Sequence, residues 1–117
     1  MVTVAGHITV EPQQRESYLA DCVSVVEKAR GRAGCLDFAI TADLIDPGRV
    51  NLFERWESQA AVEAFRRAAP ATGKARQMLS ASVAEYDIAD VRPLFGKAQH
   101  EPVARTTTKP TRRELRP

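Results

Sequence analysis

Glu54 and Trp56 stand two residues apart in the segment Arg49–Trp56 (RVNLFERW). Alternation along a strand puts Val50, Leu52, Glu54 and Trp56 on one face and Asn51, Phe53 and Arg55 on the other. A carboxylate held beside an indole and apolar walls is disfavoured as an anion, so its pKa rises and it can act as a base. Each residue also has a plainer role open to it. Glu54 can snorkel or pair with an arginine, and Trp56 can be a core residue whose N–H finds an acceptor. His7 is the only histidine ahead of residue 97, and an imidazole with an ordinary pKa of about 6.5 suits proton abstraction. Strand alternation sets it opposite Val4 and Ile8, on a face that a partner or solvent would meet. Tyr86 offers a phenol that can hydrogen-bond a bound oxygen, from the face opposite Val83, Glu85 and Asp87. Trp56, Glu54, Tyr86 and His7 are therefore the catalytic candidates. Phe38, Leu52 and Phe65 supply apolar wall, Asn51 an amide, and Arg76 a cation for an anionic substrate; these five are the substrate-binding candidates.

The elements that carry these residues follow from period and punctuation. Thr3–Val10 (TVAGHITV) alternates as a half-buried strand. Pro12 fits a first helical turn, and the segment to about Arg32 sets Tyr18, Cys22, Val25, Val26 and Ala29 along one helical face. Gly31 and Gly34 end it. Cys35–Asp43 alternates again, with Leu36, Phe38, Ile40 and Ala42 against Cys35, Asp37, Ala39 and Thr41. Asp46-Pro47-Gly48 is a turn, since proline presets φ and glycine tolerates φ > 0. It makes Arg49–Trp56 the second arm of a hairpin. Ser58 is an N-cap for Gln59–Ala68, a helix with Ala61, Val62, Phe65 and Ala69 on its apolar stripe. Pro70 interrupts, a short helix from about Thr72 to Leu79 follows, and Ser82–Ile88 is a fourth strand.

Composition bounds the rest. The chain has 117 residues, enough for one domain with a real core. Residues 1–96 hold 11 basic and 13 acidic side chains, and residues 97–117 hold 6 and 2, so the excess positive charge belongs to the tail. The organisation expected is a domain over 1–96 and a flexible basic tail over 97–117. A mildly acidic body argues against nucleic acid as a partner. No run of 18 apolar residues is present, and no charged n-region with an apolar h-region opens the chain, so the sequence predicts no membrane partner and a cytoplasmic protein. Cys22 and Cys35 lack metal-ligand spacing, so no metal site is expected.

The order β-α-β-β-α(α)-β is a ferredoxin-like split β-α-β, an α+β fold whose four-stranded antiparallel sheet carries helices on one face only. The bare face, with His7, Thr9, Asp37, Asn51 and Phe53, calls for a cover. Two sheets packed face to face form a dimeric α+β barrel, so a homodimer is expected.

GCLDF, DPGRVNLFERWES, AAVEAF and EYDIADVRPL together resemble the antibiotic biosynthesis monooxygenase family over about residues 2–95. The resemblance implies oxygenation or quinol oxidation with no flavin, haem or metal cofactor, on an aromatic phenol or hydroquinone, with dioxygen as second substrate. An electron-rich phenolate can itself donate an electron to dioxygen, given a pocket that orients the ring, a proton acceptor and exclusion of water. Many members carry histidines in the helix after the tryptophan. Here those positions are Ala64-Phe65 and the Ala69–Gly73 region, which leaves open a non-catalytic dimeric module that binds a small molecule. Haem degradation is not expected, because the positions matching that branch are Gly6 and Arg66.

Overall fold

The computed structural model describes residues 1–68 and 77–96. Most of the helix predicted over Thr72–Leu79, with Arg76, and the whole tail over 97–117 lie outside them. The elements run β1 (Val2–Thr9), a 3-10 turn (Pro12–Gln14), α1 (Arg15–Arg30), β2 (Cys35–Ala42), β3 (Arg49–Trp56), α2 (Gln59–Ala68) and β4 (Ser80–Asp87). The strands form one antiparallel sheet in the order β2-β3-β1-β4. This is the predicted α+β ferredoxin-like arrangement.

Local chemistry explains most boundaries. Pro12 opens a 3-10 turn rather than the α-helix itself, and α1 begins only at Arg15. Arg15 then pins the helix to the hairpin, its Nη1 donating to the carbonyls of Asp46 at 2.8 Å and Arg49 at 3.2 Å. The hairpin tip is ordered by Asp43, whose carboxylate accepts from the backbone N–H of Asp46 at 2.8 Å and of Ile45 at 3.0 Å. Ser58 caps α2 as predicted, its Oγ accepting from Ala61 N at 3.1 Å. Gly34 has φ +87°, and a Cβ there would lie 2.6 Å from Ala61 Cβ, so the α1–β2 turn closes on α2 only with glycine at this place.

Register decides which side chains face the helices. Val2, Val4 and Ile8 of β1 line up with Trp56, Glu54 and Val50 of β3. All six are buried. One expectation fails. Simple alternation sets Cys35 on the face opposite Phe38, but the register shifts between Cys35 and Asp37. This bulge brings Cys35 opposite Trp56 and packs it against the core.

The core has two parts. Val2, Val4, Ala29, Phe38, Trp56, Val62 and Phe65 form one cluster; Ile8, Val10, Tyr18, Cys22 and Val50 form the other. Ile40 packs against both. Among the described residues no helix covers the opposite side of the sheet, and Phe53 there is 39% exposed. Among the described residues, no helix is long and apolar enough to cross a membrane.

Candidate functional site

Trp56 is fully buried at the end of β3, inside an aromatic triad. Its ring stacks on Phe65 at 5.2 Å between centroids, and Phe38 meets Trp56 at 6.4 Å and Phe65 at 5.6 Å edge-on. Such pairs add about 0.5–1.5 kcal/mol each beyond the area they bury, so the triad is a rigid wall. Glu54, also buried, reaches into this wall. Its Oε1 accepts the indole Nε1–H of Trp56 at 2.9 Å. Burial pushes the Glu54 carboxyl above its ordinary range, while the indole hydrogen bond and the charge of Arg66 pull the other way and Glu85 adds to the rise. The desolvation effect dominates, leaving a carboxylate poised to accept a proton.

The register exposes an acidic partner that strand alternation alone did not single out. Val4 pairs with Glu54 on one side and with Glu85 on the other, so both carboxylates flank it on the helix-side face. Arg66 shares an α2 face with the buried Val62 and Phe65. Its Nη1 meets Glu85 Oε1 at 3.0 Å.

Gly6 sits in β1 between Val4 of one core cluster and Ile8 of the other, opposite Leu52 and Val83. Leu52 is only half-buried and Val83 is 41% exposed. A Cβ at Gly6 would fall 2.7 Å from Val83 Cα and collide with the Ser82 carbonyl, so β1 and β4 approach this closely only with glycine. Gly6, Leu52 and Val83 thus form one cross-strand row, next to the row of Val4, Glu54 and Glu85.

The candidates named from the sequence fall into two sets. Trp56, Glu54, Phe38, Phe65 and Leu52 come together on the helix side. His7, Asn51 and Tyr86 lie on the bare face, with His7 opposite Asn51 and Ser82, and Tyr86 opposite Thr3. Asn51 is engaged locally: its Oδ1 accepts from Arg49 Nε at 2.7 Å and its Nδ2 donates to Asp43 Oδ1 at 3.0 Å. Arg76 lies outside the described residues. Glu85, Arg66, Gly6 and Val83 were not singled out as site residues. For Glu85, Gly6 and Val83 the signal was the pairing of both flanking strands with β1, which a one-strand-at-a-time reading does not use. An open groove of about 560 Å³ lies beside Arg32, Gly34, Glu57 and Ala61. Its lining is mostly alanine and glycine, with Arg32 and Glu57 as its charged side chains.

The family described as antibiotic biosynthesis monooxygenase matches residues 1–77. An uncharacterized protein of Synechocystis is 29% identical over 62 residues, covering 53% of this chain. The match spans only 42% of that relative's length. YcnE of Bacillus subtilis, provisionally named a monooxygenase, is 25% identical over 84 residues, 69% of this chain and 88% of that one. Among solved structures, a provisionally named antibiotic biosynthesis monooxygenase from Deinococcus radiodurans superposes with a TM-score of 0.68 at 19% identity, over 82% of this chain and 100% of the other. One of the same provisional name from Nitrosomonas europaea gives 0.64 at 18%, over 74% and 97%. These structural likenesses establish the fold.

Proposed function

Because the chain belongs to the antibiotic biosynthesis monooxygenase family, we propose that it oxidises an electron-rich phenol or hydroquinone with dioxygen, as a cofactor-independent monooxygenase or quinol oxidase. The observation that carries this is the buried Glu54 carboxylate, hydrogen-bonded to Trp56 one cross-strand row from Gly6, Leu52 and Val83. A ring seated over Gly6, Leu52 and Val83 would meet a proton acceptor and an aromatic wall together. Glu54 takes the ring hydroxyl proton, and the phenolate formed is electron-rich enough to pass an electron to dioxygen. In quinol oxidation the substrate loses two electrons and two protons, leaving a quinone and hydrogen peroxide. In monooxygenation of an activated ring methylene, one oxygen atom becomes the new carbonyl, and the other leaves as water with the two methylene hydrogens. Phe38, Phe65 and Leu52 orient the ring, and the low dielectric of the cluster keeps water from the radical pair.

We infer further that the protein is a homodimer through its bare sheet face. Phe53 and the small residues Ala5, Ala39 and Ala84 make that face apolar enough to be covered. His7, Asn51 and Tyr86 then serve that interface or a barrel interior, rather than the Glu54 chemistry.

A second reading is favoured by the complete burial of Trp56, whose N–H is already satisfied. It makes the chain a small-molecule binding module of the same fold. Turnover of a hydroquinone panel, with spontaneous oxidation subtracted, separates the two. Saturable turnover lost in Glu54→Gln supports the enzyme. Saturable binding with no rate above background supports the module.

A further inference from the structure

We propose that Arg66 is the specificity residue that binds the ionised ring oxygen of the substrate, with Glu85 as the resting counter-ion that this oxyanion displaces. The inference rests on the phenol reading given above and goes beyond it by assigning the charge recognition.

The geometry sets up an exchange. Glu54 and Glu85 flank Val4 from neighbouring strands, so their Cα atoms stand about 10 Å apart on the face that α2 overlooks. Arg66 reaches this face from α2 beside Val62 and Phe65, and its Nη1 contacts Glu85 Oε1 at 3.0 Å. Its charge also acts on Glu54. Once Glu54 has taken a proton, the negative charge has moved from Glu54 to the ring oxygen. A phenolate beside an apolar wall needs a cation, and a guanidinium is the side chain that pairs with an oxyanion while stacking on a ring.

Among the described residues, the other charged groups near this face do not fill that role. Arg30, at the end of α1, donates its Nε to the Phe38 carbonyl over β2 at 2.9 Å. Asp87 on β4 is exposed and of the wrong sign. The α1 face toward the sheet presents Tyr18, Cys22 and Ala29, none of them a cation. The Arg66–Glu85 pair is itself half-exposed, at 50% and 33% of the two side chains. Pairs of that exposure contribute little to stability and open readily, which suits a contact that must exchange.

The test uses 4-nitrophenol as probe, since its phenolate absorbs in the visible and reports its own ionisation when bound. Bound to the full-length wild-type chain, the probe should ionise at a lower pH than bound to Arg66→Gln, with a difference of about one unit or more. Glu85→Gln should shift it the opposite way, to still lower pH, because Arg66 loses its counter-ion. Arg66→Lys should restore part of the wild-type value. A merely structural ion pair predicts something different: both neutral variants lose thermal midpoint together, and the bound probe ionises alike in all of them. That pattern, or shifts of one sign in both variants, overturns the assignment while leaving phenol binding intact. No saturable probe binding to folded wild type contradicts the phenol reading itself, and the assignment with it.

Discussion

The indole Nε1 of Trp56 donates a 2.9 Å hydrogen bond to Glu54 Oε1, two residues earlier on the same face of β3. The contact joins the only tryptophan of the chain to a buried carboxylate. It gives each what burial demands, an acceptor for the indole and a donor for the acid. It also fixes the free carboxylate oxygen relative to the aromatic wall, as a positioned base requires.

Replacing Glu54 separates structure from chemistry. Glu54→Gln keeps an acceptor for the indole but removes the base, so turnover should fall by about 10²–10⁴-fold with the fold retained. Glu54→Ala leaves the buried indole N–H unpaired and should cost about 1–3 kcal/mol in addition. Steady-state kinetics and denaturant melts on both variants check this. Unchanged turnover in the glutamine variant removes Glu54 from the chemistry.

The same carboxyl predicts a pH trend in stability. Its folded pKa is raised by desolvation, so the stabilisation of its protonated form is full below the ordinary carboxylate range. That stabilisation is lost as pH rises through the raised value. Glu54→Gln should therefore gain thermal midpoint relative to wild type as pH increases. A difference that stays flat across that range contradicts the buried-acid description.

Asp43 predicts the reverse trend. The backbone N–H of Asp46, then Asn51 and the N–H of Ile45, hold its carboxyl down at about 2 from an ordinary 3.8. Its contribution is present above that ordinary value and is lost as pH falls toward about 2. Asp43→Asn should melt below wild type at neutral pH, and the gap should close on acidification. Melting curves at several acidic pH values measure it, and a gap that widens on acidification rules this out.

Much of the fold was legible because its signals are local. Alternation marked four strands, Asp46-Pro47-Gly48 marked the hairpin, and Ser58 marked the start of α2. Alternation also put Glu54 and Trp56 together. It misplaced Cys35 because a bulge is a property of two paired strands, invisible in one. It passed over Glu85 for the same reason, since only pairing with Val4 brings that residue level with Glu54. Arg66 was passed over too, because nothing in α2 alone says that β4 lies within reach.

The close approach at Gly6 makes a sharp mutational test. Gly6→Val drives a side chain into the Ser82–Val83 backbone, against φ +153°. It should detach the edge strand β4, which among the described residues pairs only with β1, and lower stability by about 1–3 kcal/mol. Hydrogen exchange should show lost protection in Ser80–Asp87 first. Wild-type protection there in the variant contradicts the close-packed geometry.

The bare face makes a prediction of assembly. Phe53 lies between Ala5 and Ala39 at its centre. Phe53→Lys should convert a dimer to a folded monomer by light scattering at micromolar concentration. A monomeric wild type at that concentration removes the dimer proposal.

Oxygen uptake and quinone absorbance with a panel of hydroquinones and anthrones test the proposed activity most directly, on metal-stripped protein without added cofactor and with spontaneous oxidation subtracted. Saturable turnover that collapses in Glu54→Gln and Trp56→Ala is the predicted result. Turnover that is unchanged in both variants, or no rate above background across the panel, contradicts it.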